Sequence, residues 1–292
     1  MVEKKWETRV GYLGPEASFT NIAAKNFFKD GWLLPYATIP ECIEAVSLGE
    51  LEYAVVPLEN TLEGTVTLTI DYLFHEADLS VNAEILSPIE QHLMVHPANA
   101  EDWEEIKDVY SHPHALAQCY KYLFYRGIRQ HQYASTAAAA KFVSENKELQ
   151  IASIGNRLSA KKYGLVVVQE NIHDFHKNHT RFLVLSKDKK ILDHEGSSKT
   201  PKTTFMLTLP VDDRSGALHQ VLSVFAWRRL NLTKIESRPL KTGLGNYFFV
   251  LDVMEDESHP MMNGAVEELQ ALGCKVKSLG TYYTHQTPSS PN

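Results

Sequence analysis

Tyr53-Ala-Val-Val-Pro-Leu-Glu-Asn-Thr-Leu-Glu-Gly-Thr65 is the stretch on which the fold turns. Its opening, Tyr53-Ala-Val-Val56, is apolar at consecutive rather than alternate positions, the pattern of a strand covered on both faces. Upstream, Val10-Gly-Tyr-Leu13 reads as a first strand broken at Gly14-Pro15. Phe19, Ile22, Ala23, Phe27 and Phe28 then recur at helical spacing. Thr38-Ile-Pro-Glu41 has the capping-box form and opens a second helix carrying Ile43, Ala45 and Val46. Downstream, residues 89–95, 108–110, 151–154 and 165–168 read as strands, and 113–125 and 136–143 as helices. This alternation predicts an α/β architecture of parallel strands with helical crossovers, in which ligands bind outside the carboxyl ends of the strands.

Residues 187–202 are rich in Lys, Asp, Ser and Gly and read as a linker. Beyond it the pattern becomes strand 203–209, helix 215–229, strands 232–238 and 247–253, helix 261–272 and strand 275–282. That is the βαββαβ order of a ferredoxin-like domain. With roughly 150 residues per domain as a guide, the chain divides into a first domain at 1–190, a linker at 191–202, a second domain at 203–285 and a disordered tail at 286–292.

A hydrophobic fraction of 43% beside a charged fraction of 22% is that of a folded chain. Twenty-nine Lys and Arg against 36 Asp and Glu leave a net charge of −7, which disfavours nucleic acid as a partner. No apolar run approaches the ~18 residues of a membrane span, and the first nine residues lack the apolar core of a secretion signal. Cys42, Cys119 and Cys274 lie too far apart for a zinc ribbon and form no paired framework, so a reducing, cytoplasmic location is expected.

Three strand-end segments carry polar chemistry. Asn60 and Thr61 follow the buried strand directly; they could orient a small polar substrate, or Asn60 could close a turn with its own backbone. In Tyr110-Ser-His-Pro-His-Ala-Leu-Ala-Gln-Cys119, Pro113 suits a first helical position, whose free N–H groups favour a carboxylate. Ser111 stands beside it as ligand contact or capping residue, and His114 and Gln118 share a face. In the third segment, His173, His176 and His179 precede Thr180 and Arg181. Helical steps of three drift by about 60° each, so the histidines would not converge on a metal, and a polar loop beside a cleft is expected. Arg181, with its planar fork, suits bidentate clamping of a carboxylate. No glycine-rich phosphate loop or nucleophile elbow is present, so chemistry without metal or cofactor is expected.

Gly14-Pro15-x-x-Ser18-Phe19, Pro57-Leu-Glu-Asn-Thr61 with Gly64, Ser111-His-Pro113 with Gln118-Cys119, Ser135-Thr136-x-x-Ala139-Ala140 and Asn178-x-Thr180-Arg-Phe182 occur in that order. With Gly216-Ala-Leu218, Asn231-Leu232 and Glu236-Ser-Arg-Pro239, they make the chain resemble the prephenate dehydratase family in its monofunctional form with a C-terminal ACT regulatory domain. Ala17 stands where many members have Gly, and Thr61 where many have Ser.

The resemblance implies two α/β lobes like those of periplasmic binding proteins, and conversion of prephenate to phenylpyruvate, water and carbon dioxide in phenylalanine biosynthesis. It implies Thr180 as the catalytic residue and Asn60, Thr61, Ser111, Gln118, Arg181 and Phe182 as substrate-binding. Gly216, Ala217, Leu218, Asn231, Glu236, Ser237, Arg238 and Pro239 would bind phenylalanine at an interface between ACT domains of a homodimer or homotetramer. A threonine hydroxyl is too weak an acid for matched proton transfer, so Thr180 would donate a hydrogen bond or relay a proton, with His112 or His179 as reservoir. Arogenate dehydration and a non-catalytic amino-acid sensor are the competing readings.

Overall fold

In a computed structural model of the chain, residues 8–194, 196–210, 215–241 and 246–288 are described. The first lobe begins with β1 (Arg9–Leu13), α1 (Phe19–Phe27), β2 (Trp32–Tyr36), α2 (Ile39–Ser47), β3 (Tyr53–Asn60), β4 (Gly64–Thr65), α3 (Thr67–His75) and β5 (Ser80–Pro88). The chain then crosses to a second lobe of β6 (His92–Val95), β7 (Asp108–Ser111), α4 (Pro113–Gln118), α5 (Tyr120–Arg126), β8 (Arg129–Gln132), α6 (Thr136–Glu145), β9 (Ile151–Gly155), α7 (Arg157–Tyr163) and β10 (Val166–Gln169). It returns to the first lobe as β11 (His179–Ser186). A C-terminal unit follows with β12 (Lys202–Thr208), α8 (Ala217–Trp227), β13 (Leu232–Pro239), β14 (Tyr247–Val253), α9 (Pro260–Ala271) and β15 (Lys275–Tyr282), and β16 (Thr284–Gln286) rejoins the first lobe.

The α/β class and two-lobed plan agree with the sequence expectation, but the sheets are mixed, not parallel. In the first lobe the order is β16-β5-β11-β3-β1-β2, with β1 parallel to β2 and β3, and β11 antiparallel to both β3 and β5. In the second the order is β10-β6-β9-β7-β8, with β6 antiparallel to its neighbours. The antiparallel strands arise because the chain passes between lobes twice, and the returning β11 inserts between β3 and β5.

β2 and β5 escaped the sequence reading for different reasons. Pro35 interrupts β2, which is tolerated because β2 lies at the sheet edge. Buried Asn82, Glu84 and Ser87 break the apolar pattern of β5, and their partners are tertiary. The expected helix 113–125 is broken at Cys119, whose φ of −111° and ψ of 19° leave the helical region. The tail expected to be disordered from 286 is instead paired there, since Thr284–Gln286 runs parallel to Glu84–Leu86; residues 289–292 lie outside the described set.

The C-terminal sheet, ordered β13-β14-β12-β15 and antiparallel throughout, is the ferredoxin-like arrangement. Strand alternation gives it two buried faces. Phe205, Leu207, Phe249, Leu251 and Val253 pack on α8 and α9 through Val221, Phe225 and Leu269. Met206, Phe248, Val250 and Tyr282 join one core with Ile43, Val56, Ile70 and Leu73 of the first lobe. Phe248 stacks on Phe74 at 3.9 Å between centroids. The unit is thus docked on the first lobe through a shared core. All three cysteines are buried and unpaired, and burial pushes the Cys42 thiol up to about 12, leaving it unreactive. No helix among the described residues is long and apolar enough to cross a membrane.

Candidate functional site

A cleft of about 630 Å³ lies between the lobes. From the expected set it brings together Asn60 at the end of β3, Gln118 at the end of α4, and Thr180 and Phe182 on β11. Thr180 pairs in register with Asn60 on one side and Ser87 on the other. Asn60 Oδ1 accepts from the N–H groups of Leu62 and Glu63 at 3.0 and 3.1 Å, which fixes the orientation of the amide. Asn60 Nδ2 therefore donates, and its acceptor is Thr180 Oγ1 at 2.9 Å. The turn-closing and substrate-orienting readings of Asn60 use opposite ends of one side chain. A hydroxyl that receives a hydrogen bond retains one proton to give, so this arrangement makes Thr180 a donor.

Gln118 Oε1 accepts from Gln91 Nε2 at 3.3 Å. Gln91 also lines the cleft, is 2% exposed, and was not singled out in the sequence because one buried glutamine between strands has no motif of its own. His112 lines the cleft as N-cap of α4 and accepts the His114 N–H through Nδ1, so its neutral form carries the proton on Nε2. Burial, and then the neighbouring His114, lower its pKa. His179 is not among the lining residues, and its ring contacts the Lys177 carbonyl. His173 Nδ1 accepts from the Gln91 N–H at 3.3 Å, so these two histidines serve separate backbone contacts.

Three residues expected to touch substrate do not line the cleft. Ser111 is fully buried and donates to the Ile154 carbonyl at 2.7 Å, tying β7 to β9. Thr61 Oγ1 bonds the backbone of His179 as both donor and acceptor, holding the start of β11 against the β3 turn. Arg181 requires the largest correction. Side chains alternate along a strand, so Arg181 points away from its neighbour Thr180, toward the C-terminal sheet. Its guanidinium meets Glu59 at 2.7 Å, Asp252 at 2.6 Å and Glu84 at 2.8 Å. Burial opposes these charges, but Glu84 and Asp252 outweigh it and raise the guanidinium pKa further. Four of its five N–H donors thus go to carboxylates of the protein itself, so the two-pronged clamp is already occupied.

Among the described lining residues none is Lys or Arg. The cleft is instead ringed by helix starts: α1 after Ser18, α3 at Thr67 and Leu68, and α6 after Ser135. Ser18 and Ser135 each cap one amide, of Asn21 and Ala138, and the remaining first-turn N–H groups have no helical acceptor. Such helix starts receive anions through fixed dipoles. Phe19, Val66, Leu68, Ile89 and Phe182 supply the apolar wall.

The lobes are joined across the cleft. Asn156 Nδ2 and Ser159 Oγ donate to the Ala17 carbonyl at 2.9 and 3.0 Å, and His114 faces Glu63 at 3.7 Å. Ala17 has a φ of 66°, so it is an alanine held in the left-handed region.

The C-terminal candidates divide. Gly216, Ala217 and Leu218 begin α8, whereas Asn231 lies beyond the other end of this eleven-residue helix. On β13, Ser237 and Pro239 are exposed, while Glu236 and Arg238 turn inward. Glu236 accepts from Thr65 and pairs with Lys234 at 2.9 Å, and Arg238 pairs with Asp71 at 3.2 Å. Glu236 and Arg238 are thus engaged with the first lobe or its immediate neighbour.

A family model described as prephenate dehydratase matches residues 10–190, which leaves the C-terminal unit outside it. The chain is 51% identical to a prephenate dehydratase of Bacillus subtilis over 283 residues, 95% of this chain and 99% of that protein. A solved prephenate dehydratase from Arthrobacter aurescens, in complex with L-Phe, matches with a TM-score of 0.83 and 32% identity over 94% of this chain and 90% of that one. GqqA, described as a novel type of quorum quenching acylase, matches at a TM-score of 0.83 and 26% identity over 94% of this chain and 98% of that one.

Proposed function

As the chain belongs to the prephenate dehydratase family, we propose that it converts prephenate to phenylpyruvate, water and carbon dioxide. The observation that carries this reading is the Asn60 to Thr180 hydrogen bond, which aims a hydroxyl proton into an anion-receptive cleft. The ring carboxylate leaves as carbon dioxide, its bonding pair enters the ring, and the ring C–O bond breaks with its electrons on oxygen. One proton completes the departing water. Thr180 supplies a hydrogen bond that strengthens as charge gathers on that oxygen. His112, neutral and with its proton on Nε2, supports a second hydrogen bond to the departing oxygen, which takes its proton from solvent.

Without a cationic side chain in the lining, the substrate carboxylates are received by the amides at the starts of α1 and α6, one from each lobe. The leaving carboxylate gains from this, because an uncharged apolar wall eases charge loss where a guanidinium would oppose it. Gln118, oriented by Gln91, contributes an amide. The acylase description of one structural relative is not extended to this chain. Ser18 and Ser135, the serines of the lining, act as helix caps, and no described hydrogen bond joins either to a titratable side chain.

The C-terminal unit acts as an ACT-type regulatory domain that binds phenylalanine. The placing of Gly216–Leu218 and Asn231 at opposite ends of α8 supports a site shared by two copies, each lending one end of the helix. Inhibition then follows from unequal phenylalanine affinity for two states. The direct experiment is the appearance of phenylpyruvate absorbance from prephenate, with and without phenylalanine, beside arogenate as competing substrate. No phenylpyruvate from the parent chain would end the reading, and faster turnover of arogenate would replace it with the amino-acid substrate.

A further inference from the structure

Between the cleft and the C-terminal sheet lies a layer of charges that the chemistry above does not use. Asp252 on β14 is fully buried and carries its carboxylate from the sheet face toward the first lobe, where Arg181 Nη2 donates to it at 2.6 Å. Thr204 Oγ1 fixes the other carboxylate oxygen at 2.7 Å. The same guanidinium reaches Glu84 on β5 and Glu59 on β3. Arg181 directly follows Thr180, and Glu59 directly precedes Asn60. A second contact runs beside the first: Lys234 on β13 lies 3.3 Å from Glu59 and donates to Thr65, a lining residue of the cleft, at 3.0 Å.

We infer that Arg181 is a positioning residue and Asp252 the C-terminal unit's hold on it, so that displacement of the regulatory sheet moves the strand ends bearing Asn60 and Thr180. The inference deepens, and rests on, the reading of the cleft as a dehydratase site under phenylalanine control. Its physical basis is the geometry of β13. Ser237 and Pro239 face outward and Lys234, Glu236 and Arg238 face the first lobe, so an effector on the outer face is one strand thickness from groups holding Thr65 and Glu59. Buried ion pairs do not stretch gradually. Once a carboxylate is withdrawn from a shared guanidinium, the remaining two must rearrange around it. Phenylalanine affinity and cleft geometry are then coupled reciprocally through Arg181.

The test uses Asp252→Asn in the full-length chain. This isostere keeps an acceptor for Thr204 and removes the charge that holds Arg181. Because the variant mimics withdrawal of the sheet from Arg181, turnover without phenylalanine should fall toward the inhibited level of the parent, and calorimetry should still detect phenylalanine binding. Inhibition by phenylalanine should weaken at least about fivefold, the lower end of typical coupling. Phenylalanine should also alter amide hydrogen exchange of residues 59–65 in the parent and not in the variant, a readout independent of turnover. Inhibition curves that superimpose, or an exchange response that survives in the variant, would overturn the relay. A parent that releases no phenylpyruvate yet shows the exchange response would sink the catalytic reading and leave the relay standing. If Asp252→Asn does not fold, the exchange response of residues 59–65 to phenylalanine in the parent decides alone, and its absence overturns the relay.

Discussion

Replacing Thr180 with valine isolates the hydroxyl, because valine has the same branched shape and suits the same strand. Thr180 is 8% exposed, and its Oγ1 accepts from Asn60 at 2.9 Å, so the substitution removes one aimed donor and leaves the Asn60 amide with its longer contact to the His179 carbonyl at 3.3 Å. Losing this neutral hydrogen bond should cost about 1 kcal/mol of stability, small enough for the variant to fold. Its effect on chemistry should be larger. Removal of one preorganised donor to a developing oxyanion costs about 3 to 4 kcal/mol, or a roughly 10²- to 10³-fold fall in kcat. With the ground-state carboxylates received at the helix starts, as proposed, Thr180 does not touch them, and KM should change by less than about threefold. The assay is initial-rate phenylpyruvate formation across prephenate concentrations, with a melting curve as the folding control. A valine variant within tenfold of parent kcat would remove the hydroxyl from the mechanism, and an unchanged kcat with a much raised KM would make it a binding group.

Asn60→Asp should lower kcat by a similar factor for the opposite reason: an ionised carboxylate would accept the Thr180 proton and turn it away from substrate, and assay at lower pH should restore part of the activity if that reversal is the cause. Arg181→Met should reduce unfolding free energy by about 3 to 5 kcal/mol, since Glu84 and Asp252, 1% and 0% exposed, lose a shared partner. Denaturant unfolding with KM on the folded enzyme checks it, and a stable variant with tenfold weaker prephenate affinity would restore the substrate clamp. His92 is held by burial at a pKa of about 4 against an ordinary 6.5. The unfolded chain therefore takes up a proton first as pH falls, and stability is lost from about 6.5 downward until the folded pKa is passed, roughly 2 kcal/mol of it by pH 5. Unfolding of the parent and His92→Gln at pH 7 and pH 5 measures this, and equal losses in both proteins would assign the acid sensitivity elsewhere.

The chain's periodicities determined the class of the fold and most of its elements. A continuous apolar, β-branched run such as Tyr53-Ala-Val-Val56 reads as a strand with both faces covered, and the βαββαβ order after residue 202 admits few sheet arrangements. The family resemblance carried by the motifs also implied that Asn60, Gln118 and Thr180 belong together, and one cleft holds all three. Only tertiary structure decided what each side chain does there. Arg181 and Thr180 are neighbours in one short motif, yet strand alternation sends the hydroxyl to the cleft and the guanidinium to the C-terminal sheet. Its buried partners, Glu84 on an unrecognised strand and Asp252 some 70 residues further on, carry no local sign of the pairing. Local propensity reads neighbours along the chain, whereas the energy of a buried charge depends on whatever the fold sets within about 3 Å of it, and that distance is not written in any window of sequence.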